Sequence, residues 1–151
     1  ASEQEAHLAL LANHGIASYS DKIAAAVGDA PAFIVAFSVG ASAAWLYAAS
    51  GEAHPDSRAT LFYGSRIRDY ADLTPRFAVD AVFAEREASF DPVPLVRRIA
   101  SERVHAIVVA GTAHGFMNSD SPNYAPAHCL AQLQKLALAI AEFHARRLSP
   151  E

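Results

Sequence analysis

The sequence predicts one α/β domain over residues 1–151, built on a parallel sheet that is flanked by helices. Two observations lead to this class. Short apolar runs alternate with amphipathic stretches along the chain, which is typical of strands joined by crossover helices. The apolar runs also lack a regular polar alternation, as strands covered on both faces do. A length of 151 residues fits one domain with one core.

Two helices are predicted before the first apolar run. The stretch 2–15 is predicted to be a helix with Ser2 as its N-cap. Glu5, three residues later, would complete a capping box. The stretch 19–28 is a second amphipathic segment, and Gly28 is placed to end it.

Four apolar runs are each short enough for a strand and rich in Val, Ile, Phe or Tyr. They are AFIVAF (32–37), RATLFYG (58–64), FAVDAVFA (77–84) and VHAIVVAG (104–111). Helical segments are predicted between and after them, over 40–50, 92–102 and about 124–147.

The composition argues against several classes of partner. A net charge of −4 offers no cationic surface for nucleic acid. No apolar stretch is long enough to cross a membrane, and the first residues lack the layout of a signal peptide. The single cysteine, Cys129, allows no internal disulfide, which fits a reducing compartment. We therefore expect a cytoplasmic protein that acts on a small molecule.

Chemistry-bearing residues follow three of the four apolar runs. Ser38 comes after the first run, Glu85, Glu87 and Asp91 after the third, and His114 after the fourth. Sites in parallel sheets form at the carboxyl ends of strands, so these side chains are expected to meet. Their order along the chain, serine then acid then histidine, is the order of the α/β-hydrolase triad.

The three residue types form a working set for nucleophilic catalysis. A serine hydroxyl such as that of Ser38 needs a base, and the imidazole of His114 can accept its proton while a carboxylate orients the ring. Small residues are expected two positions before and after the nucleophile, where Ala36 and Gly40 stand. The N–H of Val39, at the start of the following helix, is the natural first donor to an oxyanion.

Each residue also has an ordinary structural explanation. Ser38 alone could be a helix N-cap, His114 a loop residue and the carboxylates solvated loop side chains. The remaining histidines are scattered without metal-ligand spacing, so we expect no metal site.

The stretch from about residue 19 to residue 144 resembles the dienelactone hydrolase family of α/β-hydrolases. The motifs that carry the resemblance are AFSVGASAAW, LFYGSRI, AVFAEREASFDP and, most specifically, GTAHGFMNSDSPNYAPA. The resemblance implies a shortened α/β-hydrolase fold that cleaves esters or lactones through an acyl-enzyme. It also implies that the reaction needs neither a metal nor an organic cofactor.

The sequence departs from the family in three ways. The family's namesakes have cysteine as the nucleophile at the strand-to-helix turn, called the nucleophile elbow, where this chain has Ser38. At the acid position, usually aspartate, the motif places Glu87, and Asp91 remains an alternative, with Glu87 favoured. The family's first strands have no counterpart, and these strands normally carry the loop with the second oxyanion donor. The source of that donor is therefore open.

Three further expectations follow. Four side chains are expected to form substrate-pocket walls, although Arg66 could instead be a solvated turn residue; the four are Tyr63, Arg66, Phe116 and Tyr124. A non-catalytic binding or dimerisation module is the alternative function, because the first strands are absent.

The run AFIVAF lies at an uncovered sheet edge, so we expect a homodimer unless the N-terminal helices cover that edge.

Overall fold

The structure is a computed structural model that describes Glu5 and residues 15–148. Apart from Glu5 and Gly15, the helix predicted over 2–15 lies outside the described residues. The elements, in chain order, are α1 (Gly15–Val27), β1 (Phe33–Phe37), α2 (Ser38–Ala49), β2 (Arg58–Phe62), a 3₁₀ helix (Ser65–Tyr70), β3 (Ala78–Arg86), α3 (Pro92–Ile99), β4 (Val104–Ala113) and α4 (Pro126–Leu148).

The four strands form one parallel sheet in the order β1-β2-β3-β4. This confirms the predicted α/β class with a parallel sheet flanked by helices. The first and second strands match their apolar runs closely, whereas β3 and β4 each continue two residues beyond theirs. An irregularity after Ala84 shifts the register so that Arg86 still pairs with Ala113, which extends the ladder to the candidate site.

The larger part of the core lies between the sheet and the helices α1, α2 and α3. Helix α2 is apolar around most of its circumference, and eight of its residues are buried, as in helices that lie inside a domain. Trp45 and Tyr47 are its largest buried side chains. On the same side, α1 packs on α2, and α3 packs on β3 and β4.

The opposite face of the sheet is covered by α4. A second buried cluster lies on this side and consists of Phe62, Tyr63, Val82, Ala84 and Phe116, with Leu136 of α4 packed against it. Cys129 is buried within α4, as expected for a cysteine that packs as a small apolar residue.

Helix α1 begins at Gly15, four residues before the predicted start at residue 19. The earlier start adds a turn whose Ile16 is buried. The helix ends as predicted: Gly28 has a φ of +66°, and its N–H donates to the carbonyl of Ala24. Across the described part of the chain, no helix is long and apolar enough to span a bilayer.

Candidate active site

Ser38 occupies the corner at which β1 turns into α2. Its φ is +52°, in the left-handed region that non-glycine residues rarely adopt. Phe37 holds the N-cap position of α2, so the hydroxyl of Ser38 is not a helix cap. Such backbone strain costs on the order of 1–3 kcal/mol and is found mostly at functional sites.

A line of hydrogen bonds joins the three residues of the predicted triad. Ser38 Oγ lies 3.0 Å from His114 Nε2, and His114 Nδ1 lies 2.7 Å from Glu87 Oε2. The side chain of His114 is 30% exposed, whereas that of Glu87 is only 2% exposed. When Nδ1 carries the proton and donates it to Glu87, Nε2 can accept the proton of the serine hydroxyl.

The other two carboxylates near the site have different partners. Asp91 is the N-cap of α3, and its side chain accepts from the N–H of Val93 at 2.9 Å. Glu85 accepts from the N–H of Gly111 at 3.0 Å. The structure therefore places Glu87, and not Asp91, against the imidazole.

The loop that follows β4 holds His114 in place through backbone contacts. The N–H of His114 donates to the carbonyl of Arg86, which ties the histidine to the end of β3 beside Glu87. Asn123 Nδ2 donates to the His114 carbonyl at 2.9 Å. Gly115 has a φ of +82°, and a Cβ there would lie 2.9 Å from Ser121 Oγ. Neither Asn123 nor Gly115 was predicted to have a role, although both lie in the most specific motif.

Close packing behind Ser38 depends more on Gly64 than on Gly40. A Cβ on Gly64 would lie 2.7 Å from Ile67 Cδ1 and 3.1 Å from Ala41 Cβ. A Cβ on Gly40 would make only ordinary contacts, the nearest being 3.5 Å from the hydroxyl of Tyr19. A methyl group would therefore fit at position 40, where a small residue was predicted, but not at Gly64, which the sequence did not single out.

Buried Ser42 connects the elbow to the segment after β2. Its hydroxyl contacts the carbonyl of Ser38 at 3.4 Å and accepts from the N–H of Arg66 at 3.2 Å. Ser42 has no exposed surface, so its role is structural and not that of a reactive group. No pattern in the sequence distinguishes Ser42 from an ordinary helix serine, so this contact could not be predicted.

Tyr63, one of the predicted pocket walls, packs against the candidate base. Its ring centroid lies 4.9 Å from that of His114, and its φ is +41°. The side chain is almost fully buried, and this burial, with smaller contributions from the charges of Cys129 and Glu87, raises the pKa of Tyr63 to about 12. The phenol is therefore neutral wherever a histidine base can act.

The other predicted walls are arranged differently. Phe116 has no exposed surface and packs edge-on against Tyr63, so its assignment to the substrate pocket is wrong for this conformation: it supports Tyr63 from within the core. Arg66 is half-exposed and pairs with Asp69 at 2.6 Å, as a turn residue would. Tyr124 is 39% exposed in the loop after His114.

Val39 lies in the first turn of α2, directly after Ser38. The first N–H groups of an α-helix have no acceptor within the helix, so the Val39 N–H is available to an oxyanion formed at Ser38.

At the other end of the hydrogen-bonded line, Glu87 Oε1 is buried and has no hydrogen-bond partner among the described residues.

Two cavities of the described chain lie away from the triad. One of about 570 Å³ lies at the amino ends of the strands, next to Pro31, Arg58 and Arg147. The other, of about 170 Å³, lies between the sheet and α4. Among the described residues, His, Cys, Asp and Glu side chains form no group of three that could hold a metal ion.

No protein-family model matches the chain. The chain is similar to an uncharacterized protein, YczH, of Bacillus subtilis (strain 168), with 37% identity over 92 residues. The matched stretch covers 59% of this chain and 44% of that protein, so the chain spans less than half of the relative's length. The relative's description assigns no activity that could be compared with the site.

Proposed function

We propose that the chain is a serine hydrolase that cleaves small carboxylic esters or lactones through an acyl-enzyme. The observation that carries the proposal is the line of hydrogen bonds from Ser38 through His114 to the buried Glu87. The strained backbone of Ser38 and the family resemblance of the surrounding motifs support it.

The first half of the reaction forms the acyl-enzyme. Ser38 Oγ attacks the ester carbonyl while His114 Nε2 accepts the hydroxyl proton, and Glu87 stabilises the imidazolium that forms. The Val39 N–H donates to the developing oxyanion. Collapse of the tetrahedral intermediate breaks the bond to the alcohol oxygen, which receives the proton from His114. In a lactone, the alcohol stays attached to the acyl group.

The second half regenerates the serine. Water attacks the acyl carbon while His114 accepts its proton, and the Ser38 oxygen leaves as the hydroxyl after it takes that proton back. No step calls for a metal or an organic cofactor. Removing one oxyanion donor typically lowers the rate of such a site about 10²- to 10³-fold, and we expect a contribution of this size from the Val39 N–H.

The alternative function is a hydrolase-like module that only binds or dimerises. The labelling test described below distinguishes this module from a hydrolase.

We propose a cytoplasmic location, because a single cysteine, Cys129, fits a reducing compartment.

The test is covalent labelling with a fluorophosphonate probe, followed by tandem mass spectrometry of the modified peptide. We expect the label on Ser38, and we expect Ser38→Ala to abolish both labelling and hydrolysis of a small activated ester. Ser89→Ala, at an exposed serine in the loop after β3, is the matched control and should label normally.

Labelling at another serine, or normal turnover by Ser38→Ala, would contradict the nucleophile assignment. Absence of both labelling and hydrolysis in a folded wild-type protein would favour the binding module.

A further inference from the structure

We propose that two copies of this chain associate through β1 and one flank of α4, so that their sheets join into a single eight-stranded sheet. This inference concerns a different surface from the candidate active site and does not depend on the proposed hydrolase activity. It begins with the backbone of β1, which pairs with β2 alone among the described strands.

The direction of the free backbone groups follows from one hydrogen bond. The carbonyl of Ala32 accepts from the N–H of Arg58, so the even-numbered residues of β1 direct their N–H and C=O groups towards β2. The backbone groups of Phe33, Val35 and Phe37 therefore point to the open edge. We call this set the β1 edge.

The β1 edge is complementary to itself. When a second β1 pairs with it in the antiparallel sense about a two-fold axis at Val35, the N–H and C=O of Val35 meet those of the partner's Val35. Phe33 then lies opposite the partner's Phe37, and all three outward N–H groups find an acceptor. Other antiparallel registers that also place odd-numbered residues opposite one another leave some of the outward N–H groups without an acceptor.

The orientation of α4 places an apolar surface beside this edge. Phe143 of α4 packs on Phe33 at 5.7 Å, and Arg147 donates to the carbonyl of Pro31, so this side of α4 lies over β1. At 100° per residue, Leu133 lies about 80° further round in the same direction, past β1, and Leu130 lies about 140° round, towards the solvent side of α4. The side chains that share this direction form the outer flank of α4: Leu130, Leu133, Ala137, Ala141, His144 and Leu148.

The opposite flank of α4 has a different character. Glu142 pairs there with Arg58 at 3.2 Å, and Lys135 lines a small cavity with Asp80 and His105. This flank faces β3 and β4 and carries charges of both signs. The outer flank and the β1 edge carry no Asp, Glu, Lys or Arg, and Arg147, which lies between them, is held by the Pro31 carbonyl and the Phe143 ring. A second copy therefore brings no like charges together there, which is a condition for a self-complementary patch.

The exposed apolar surface is of the right scale for such a contact. Val35 and Phe37 expose 38% and 42% of their surface, and Leu130, Leu133 and Leu148 expose 58%, 47% and 82%. Together these side chains present several hundred Å², comparable to the ~600 Å² that each partner buries in a small specific interface. Natural proteins normally protect an apolar strand edge with charges or cover it, and here the described residues do neither.

The first experiment compares solution masses by light scattering over a dilution series. We expect the wild-type chain at twice 16.1 kDa, dissociating on dilution. Leu133→Lys places two lysines in the interface and should weaken association at least about tenfold. Leu138→Lys is the matched control, because Leu138 is exposed on the same helix but lies away from the outer flank, and it should leave the mass unchanged.

A second experiment tests the register. Antiparallel hydrogen-bonded residues have Cα atoms about 5.5 Å apart, within the reach of a disulfide. Oxidised Val35→Cys should therefore form a covalent dimer on a denaturing gel, whereas Val93→Cys, at a similarly exposed valine of α3, should not.

A wild-type mass of 16.1 kDa at every concentration would overturn the proposal. So would a dimer that Leu133→Lys leaves intact and Val35→Cys fails to cross-link, since it must use another surface.

Discussion

The two sides of Ser38 differ in how much of the protein surrounds them. On the inner side, towards β2, β3 and β4, the hydroxyl meets His114, whose ring packs on Tyr63 and is backed by the buried Glu87. On the open side, β1 is the outermost of the described strands, and Val35 and Phe37 leave about two fifths of their surface exposed.

This difference separates two tasks. The inner side fixes the candidate catalytic geometry with hydrogen bonds at the ends of β3 and β4. The open side supplies the strand that delivers Ser38 to the corner, and its Phe37 ring lies 6.0 Å from the ring of Tyr63. We therefore expect changes on the inner side to alter chemistry, and changes on the open side to alter association.

The largest expected effect breaks the inner side at its buried carboxylate. Glu87→Gln keeps the shape of the side chain but no longer holds the Nδ1 proton or stabilises the imidazolium, so kcat should fall about 10³- to 10⁴-fold. Asp91→Asn keeps a capping oxygen for α3 and should change kcat by less than about threefold. Steady-state hydrolysis of a small activated ester measures both.

The reverse pattern, with a large loss in Asp91→Asn and a small one in Glu87→Gln, would transfer the orienting role to Asp91. Circular dichroism of both variants checks that the fold is retained.

Much of this arrangement was accessible from the sequence, for identifiable reasons. The strands are short apolar runs bounded by polar or turn residues, and in a parallel sheet their carboxyl ends meet, which brought Ser38 and His114 together. The choice between Glu87 and Asp91 was harder, since both follow β3 closely. It depends on the extension of β3 to Arg86, which a single sequence does not reveal.

The contacts that the sequence did not predict are long-range packing contacts. Gly64 is separated from Ala41 by 23 residues, and no local pattern indicates that their atoms lie so close. The burial of Phe116 beneath Tyr63 is of the same kind, because an aromatic residue beside a candidate histidine is equally compatible with a pocket wall.

A smaller effect is expected where the inner side packs behind Ser38. Gly64→Ala forces its Cβ to within 2.7 Å of Ile67 Cδ1 and 3.1 Å of Ala41 Cβ. Ile67 has no exposed surface, so its room to move is small. Overpacking of this kind costs about 1–3 kcal/mol of unfolding free energy. Gly40→Ala, which meets only ordinary contacts inside a helix, should be neutral or stabilise by up to about 1 kcal/mol.

Urea unfolding of the two variants at one protein concentration provides the comparison. Equal stabilities would show that the close approach behind Ser38 relaxes without cost, and the inner side would then be less rigid than its contacts imply.

The smallest expected effect uses pH to separate the two sides. The candidate base, His114, lies on the inner side, so we expect the pH dependence of the rate to come from that side. A histidine base must be neutral, and kcat/KM should therefore fall about tenfold per unit once the pH is low enough to protonate the imidazole. Because burial raises the pKa of Tyr63 to about 12, the phenol stays neutral and the rate should remain level from pH 8 to 10.

The control for this profile is the variant on the open side. Leu133→Lys adds a charge to the outer flank of α4 without contacting the triad, so its profile should have the same midpoint as that of the wild type, even if the variant is monomeric. A flat profile from pH 5 to 8 would contradict His114 as the base. A midpoint that moves when the outer flank is changed would show that the open side influences the imidazole, and the separation of tasks between the two sides would then fail.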